Sequence, residues 1–297
     1  MSTSEETPGS DSNLEGRSTS SNGYLLPYND TEIRRLLEQQ KSLSDIYEGR
    51  VVIAPVRLKE GSEVLDVGTG AGAWALDFVE RYPKADTSKI ICIDIGAAMF
   101  PKQHPPNITF QITSALAMPA EWTNKFALVH QRLILSGIKY DEWEILIRDI
   151  HRITTSGGWA QLCENNAVYD VPGVAKGPAT KRLTEAYKRL GELAGLDLLG
   201  CAKRIPVLMK AVGFVDIQVE ERVTPLGAWN GDIGRTFADN MITVFRGLKA
   251  AVLKFGGMGV IQDGEDYDAL MDEVEREWAA GPSAHVSWYV IIGRKSN

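Results

Sequence analysis

Glu63-Val-Leu-Asp-Val-Gly-Thr-Gly-Ala-Gly72 is an apolar run that ends in an acid and a glycine-rich turn. A helical pattern follows it from Ala73 to Arg81. The combination predicts a buried strand, a tight turn and a helix. Gly68, Gly70 and Gly72 admit positive φ and let the backbone approach a ligand closely. The start of the helix presents free N–H groups at the same place.

The glycines alone are weakly specific. Gly68, Gly70 and Ala73 satisfy the G-x-G-x-x-G/A dinucleotide fingerprint, with Asp94 as the later ribose acid. Asp66 argues against a dinucleotide, because a carboxylate at the strand end would repel a pyrophosphate. It would attract a ligand without phosphate and with a positive head. S-adenosylmethionine fits, since it carries an ammonium and a sulfonium and still has a ribose. Asp66, Gly68, Thr69, Gly70, Gly72 and Asp94 are therefore expected to bind that cofactor, with Ile95 against the adenine. The plain alternative is a strand, turn and helix of an α/β domain with no ligand. Asp66, the glycines and Asp94 agree independently, which favours the cofactor.

The chain has 297 residues, enough for one domain with additions or two small ones. Its hydrophobic share of 44% suits a globular protein with a sizeable core. A net charge of −7 argues against nucleic acid as a partner. No apolar run approaches membrane-spanning length and no signal peptide opens the chain, so no membrane partner is expected. Cys92, Cys163 and Cys201 are far apart, an odd count without paired spacing. They point to a reducing, cytoplasmic location and to no metal site.

Residues 1–22 are rich in Ser, Thr, Glu, Asp and Gly and read as a disordered tail. Asp30 or Thr31 is expected to cap a helix from Glu32 to about Gln40, with Ile33, Leu36 and Leu37 as its apolar face. A second helical run is expected from Ser44 to about Val56. These helices would lie over the cofactor site as a lid or cover a sheet edge. Strands are expected at Lys89–Asp94, Asn107–Ala115 and Phe126–Gln131. An amphipathic helix over Asp141–Ile153 and a strand over Ser156–Glu164 follow. Strands alternating with helices predict a parallel, doubly wound sheet. In such a sheet the carboxyl ends of neighbouring strands share one crevice, which places Asp94 to accept the ribose hydroxyls. Beyond Gly177 the pattern is mainly helical: Thr180–Leu196, Cys201–Val212, Phe237–Lys254 and Asp266–Ala279. Strands are expected at Phe214–Val223 and Ala284–Gly293, with a loop from Thr224 to Gly231. The apolar helix Phe237–Lys254 would suit a pocket or a homodimer interface.

Together, Val64-Leu-Asp-Val-Gly-Thr-Gly-Ala-Gly72, Asp94 and Trp288-Tyr-Val-Ile-Ile292 resemble a class I S-adenosylmethionine-dependent methyltransferase. More narrowly, the chain is similar to the fungal methyltransferases related to the secondary-metabolism regulator LaeA. Tyr24-Leu-Leu-Pro-Tyr-Asn-Asp-Thr-Glu32 with Arg35, Leu36 and Gln39, Val129-His-Gln-Arg132, Gly157-Gly-Trp159 with Glu164, and Pro225-Leu-Gly-Ala-Trp229 carry that likeness. It covers about residues 24–294. It implies a Rossmann-like, seven-stranded sheet whose last strand is antiparallel. It also implies one methyltransferase domain over residues 23–297: a helical lid (23–57), a cofactor-binding core (58–176), and substrate-side helices with closing strands (177–297). Two positions depart from the family. An acid usually precedes the alanine after the third strand and bonds the adenine amino group. Here Ser114 precedes Ala115, and a hydroxyl still accepts that bond. Gln40 stands where a histidine often follows the glutamine of the first helix.

Methyl transfer asks the protein for alignment and for exclusion of water. His130, at the carboxyl end of the fourth strand, is the candidate base, or else packs beside the cofactor. His104 and His151 read as structural. Arg132 would bind an acidic substrate or lock onto Glu164. Trp229 would stack on an aromatic substrate or fill core. Tyr24, Arg132, Glu164 and Trp229 are the candidate substrate-binding residues. The leading expectation is methyl transfer to a small-molecule fungal natural product, at oxygen. The alternatives are a LaeA-type regulator acting through protein partners, and a cofactor-binding cyclase or isomerase that transfers no methyl group.

Overall fold

The computed structural model describes residues 25–26, 29–82, 88–166 and 175–297. The expected tail and Tyr24 lie outside the described residues. Seven strands form one sheet: β1 Glu63–Val67, β2 Lys89–Asp94, β3 Ile108–Ile112, β4 Phe126–Arg132, β5 Thr154–Asn166, β6 Phe214–Pro225 and β7 His285–Lys295. Their order is β3-β2-β1-β4-β5-β7-β6. β1 to β5 run parallel, and β7 is antiparallel to both β5 and β6. This is the expected Rossmann-like sheet with its last strand reversed.

Position in the sheet explains the sequence of each strand. Val64, Leu65 and Val67 of central β1 are fully buried. A strand covered on both faces needs a continuous apolar run. β7 enters between two strands, and Val286–Ile292 is buried throughout. β6 is an edge: Val219 and Val223 are exposed, and Glu220, Glu221 and Arg222 discourage further pairing.

Eight helices among the described residues surround the sheet. They are α1 Asp30–Ile46, α2 Ala73–Arg81, α3 Glu142–Ile153, α4 Pro178–Ala194, α5 Cys201–Val212, α6 Gly231–Gly247, α7 Lys249–Lys254 and α8 Gly264–Ala280. None is long and apolar enough to cross a membrane. The single helix expected over Phe237–Lys254 is two, broken at Leu248, and α6 starts earlier at Gly231.

The N-terminal region departs furthest from the sequence reading. α1 runs unbroken to Ile46, and no second helix follows. Gly49 takes φ 77°, a left-handed turn that glycine adopts freely. The β-branched Val51, Val52 and Ile53 then follow outside any helix or strand. Side chains of β5 and α2 satisfy several backbone groups of this segment. Gln161 accepts from Ile53 N (2.7 Å) and Ala54 N (3.1 Å), and its amide donates to Val51 O (3.1 Å). Trp74 Nε1 also donates to Val51 O, at 3.0 Å. The buried face of α1 is polar rather than the expected Ile33–Leu36–Leu37 stripe. It carries Glu32, Arg35, Gln39, Gln40 and Leu43, while Leu37 is exposed. Arg35 pairs with Glu32 at 2.6 Å, and Asn240 of α6 accepts from Arg35 (3.2 Å) and Gln39 (3.0 Å). α1 is thus docked by hydrogen bonds rather than by an apolar stripe.

The Gln161→Ala variant leaves the Ile53 and Ala54 N–H groups without partners, while Val51 O keeps its bond from Trp74. It is expected to lose about 2 kcal/mol of unfolding free energy. Chemical denaturation checks this, and an unchanged midpoint would contradict the assigned role.

Candidate active site

The carboxyl ends of β1, β2, β4 and β5 open onto one cavity of about 200 Å³. Its sheet side is lined by Asp66, Gly68, Thr69, Gly70, Asp94, Ile95, His130 and Arg132, and Ser114 and Ala115 complete it past β3. β1 carries the decisive acid. Asp66 is 2% exposed. Its Oδ2 accepts from Thr69 Oγ1 at 2.6 Å, and its Oδ1 faces His130 Nδ1 at 2.7 Å. His130 reaches it because residues 66 and 130 are register partners in the parallel β1–β4 pair. The imidazole also stacks on Trp74 at the start of α2, with centroids 3.8 Å apart. Burial pushes the His130 pKa below its ordinary value, against the opposing pull of Asp66. A neutral ring donating Nδ1–H to Asp66 satisfies both. Its Nε2 then faces Cys163 Sγ at 3.8 Å, and burial pushes the Cys163 thiol up to about 12. Both ring nitrogens are therefore engaged within the protein.

Asp94 ends β2. Its Oδ2 accepts from Gly70 N (2.8 Å) and its Oδ1 from Ile95 N (2.7 Å), so each oxygen keeps acceptor capacity. Burial raises its pKa. Ile95 is 45% exposed beside it and presents a flat apolar surface. Ser114 Oγ accepts from Leu116 N at 3.2 Å and still lines the cavity. Gly68 takes φ 67°, and a Cβ there would lie 2.4 Å from Ile134 Cγ2. Gly72 caps α2 with φ 70° and packs against Phe110 rather than lining the cavity.

The donor set fits S-adenosylmethionine. Asp94 offers two oxygens to a ribose diol, Ile95 and Ala115 offer an adenine-sized apolar face, and Asp66 puts negative charge near an ammonium. Among the described residues no lysine lines the cavity, and the Asp66 carboxyl group does.

The candidate substrate residues are not all brought together. Arg132 lines the cavity and donates to Gln40 Oε1, and Gln40 donates in turn to Asp77 at 2.5 Å. Gln40 therefore has a structural task at the position where the family often has histidine. No ion pair joins Arg132 to Glu164. Successive side chains of a strand point to opposite faces, so Gln131, not Arg132, meets Glu164. Glu164 Oε1 accepts from Gln131 Nε2 (2.7 Å) and Ile134 N (2.9 Å). Glu164 does not line this cavity, although it borders a smaller one of about 40 Å³ behind Arg132. Trp229 does not reach the cavity either. It is 39% exposed, in a short turn where its Nε1 donates to Leu226 O at 3.1 Å. The far wall holds Leu26, Tyr187, Leu198, Met241, Val244 and Leu248, residues that the sequence reading assigned to the substrate side by region without singling them out. Leu133–Ile138 also line it, and their place directly after β4 was a usable signal.

Residues 64–158 match the family model described as a methyltransferase domain. The chain is 32% identical to the N-methyltransferase sirN of Leptosphaeria maculans over 221 residues, 74% of this chain and 76% of that one. It is 28% identical to the N-methyltransferase gliN of Aspergillus fumigatus over 267 residues, 87% of this chain and 92% of that one. In fold it is similar to the phosphoethanolamine N-methyltransferase 2 of Haemonchus contortus solved with S-adenosyl-L-methionine, at a TM-score of 0.55 and 18% identity. That match covers 91% of this chain and 58% of that one. The sheet, its strand-end acids and the glycine turn define a class I methyltransferase. The chain belongs to the S-adenosylmethionine-dependent methyltransferases of that class, and S-adenosylmethionine is its cofactor.

Burial pushes the Glu164 pKa from 4.5 up to about 8, and among the described residues no cation pairs with it. Its folded pKa lies above the unfolded one, so the folded state holds the extra proton. Its contribution to stability is complete below pH 4.5 and is lost as pH rises to about 8. The Glu164→Gln variant removes this term. Its thermal midpoint is expected to fall less than that of the parent across the interval, and parallel pH curves would disprove the assignment.

Proposed function

We propose that this methyltransferase acts on nitrogen in an apolar small molecule of fungal secondary metabolism. The observation that carries the reading is the continuity of one cavity. It runs from the Asp66–Asp94 acids to an apolar wall of Leu26, Leu36, Leu198, Met241 and Val244. Acceptor and methyl donor would share a single water-poor space. The names of sirN and gliN favour nitrogen over the oxygen expected from the sequence.

The bound cofactor supplies an electrophilic methyl group on a sulfonium. In this reading the chain's residues supply position. Asp94 accepts the ribose hydroxyls. Asp66 accepts from the ammonium and is itself held by Thr69 and His130. Ile95, Ser114 and Ala115 take the adenine, and the Gly68–Gly70 backbone carries the methionyl part. His130 orients Asp66, since neither of its nitrogens is left to take a proton from the acceptor. Arg132 meets an anionic group at the polar end of the cavity. Tyr187 Oη and Asn165 are among the polar groups that would orient an acceptor along the apolar wall.

Asp66→Ala and Asp94→Ala are each expected to weaken S-adenosylmethionine binding by roughly 1–3 kcal/mol in calorimetric titration. Wild-type affinity in both would remove the acids from the site. The acceptor reading is tested by incubation with S-adenosylmethionine and a panel of aromatic-sized N–H and O–H compounds. A product that gains one methyl group on nitrogen is expected. Methylation on oxygen alone would overturn the choice of atom.

A further inference from the structure

The wall between the glycine turn and the acceptor side of the cavity begins with an unusual backbone. Leu133, directly after β4, takes φ 53°. Left-handed φ costs a residue with a side chain, and such residues persist only where surrounding bonds hold them. Two bonds from β5 do so here. Leu133 N donates to Cys163 O at 2.9 Å, and Ile134 N donates to Glu164 Oε1 at 2.9 Å. The N–H of Leu135 points at the same carboxyl. The same Oε1 is fixed from the other side by Gln131 Nε2 at 2.7 Å. The kink turns Ile134 onto the glycine turn, where its Cγ2 occupies the space a Cβ on Gly68 would need. Residues 133–138 then line the cavity.

Glu164 is a costly way to make these bonds. It is 1% exposed, and its Oε2 has no hydrogen-bond partner. A buried acid without a cation is unfavourable unless its hydrogen bonds do something a neutral core cannot. It does not line the cofactor cavity, so its effect there passes through the loop it holds.

We infer that Glu164 is a positioning residue of the methyl-transfer site. It clamps the left-handed kink at Leu133 and so holds Ile134 against Gly68, shaping the bed on which the methionyl part of the cofactor lies. This rests on the cofactor and not on the identity of the acceptor, so it stands or falls separately from the choice of nitrogen.

The test uses the full-length protein and S-adenosylmethionine as the probe, with affinity read by calorimetry. Glu164→Gln keeps the oxygen that accepts from Ile134 and Gln131, and is expected to bind within about threefold of the parent. Glu164→Asp keeps the carboxyl group but draws the acceptor back, and is expected to bind roughly tenfold more weakly. Adding Leu133→Gly to Glu164→Asp should recover most of that loss, because glycine adopts the kink without a clamp. A merely structural acid would show no such recovery. An aspartate variant that binds as well as or better than the glutamine variant would overturn the proposal, because the carboxyl group and not its reach to the loop would then matter. Failure of the glycine to restore binding would also overturn it, because the kink would not be the link.

Discussion

A carboxylate held under the surface at the end of the central strand is the constraint on which the site depends. Asp66 is nearly inaccessible, and its two oxygens are directed by Thr69 and His130. Each partner needs something further. Thr69 must sit in the glycine turn, which its N–H fixes to Ile93 O at 2.9 Å. His130 must be exactly one strand away in register and be covered by Trp74. Trp74 in turn is anchored to Val51, in the segment that leads from α1 into the sheet. A single buried charge thereby ties two strands, a helix start and the N-terminal segment into one arrangement.

The cover of the site follows the same logic. α1 and α6 are far apart in the chain and meet through a buried cluster of Glu32, Arg35, Gln39 and Asn240. Apolar contact alone would allow the two helices to slide, whereas a cluster of directional bonds has one satisfied geometry. Arg35 and Gln39 are also part of the cavity wall, so the contact that docks the helix shapes the space beneath it. The polar face of α1 defeats most of a reading based on apolar periodicity, which assigned the inward side to Ile33, Leu36 and Leu37: of the three only Leu36 lines the cavity.

Much of the fold was legible because its signals are local. Central strands announce themselves as apolar runs that end in acids, and the turn after β1 by its glycines. The residues proposed to hold the cofactor were legible for the same reason, since Asp66, Gly68 and Thr69 are neighbours and Asp94 closes the next strand. The candidate substrate residues were less legible. Trp229 looked suited to stacking by composition, yet its turn bonds the indole to its own backbone. Arg132 and Glu164 looked like an ion pair by charge, yet strand alternation puts them on opposite faces.

By itself the sequence determined the seven strands, the reversed last strand through its family likeness, and the acids proposed to meet S-adenosylmethionine. Those features are written in residues close together in the chain, where steric and periodic rules act directly. Only the tertiary structure decided which face of α1 turns inward, which residues close the acceptor side and what holds the loop after β4. Each depends on contacts between distant positions, such as Arg35 and Asn240, 205 residues apart. Such contacts come from the satisfaction of buried polar groups and the register of the sheet, and no local pattern encodes either.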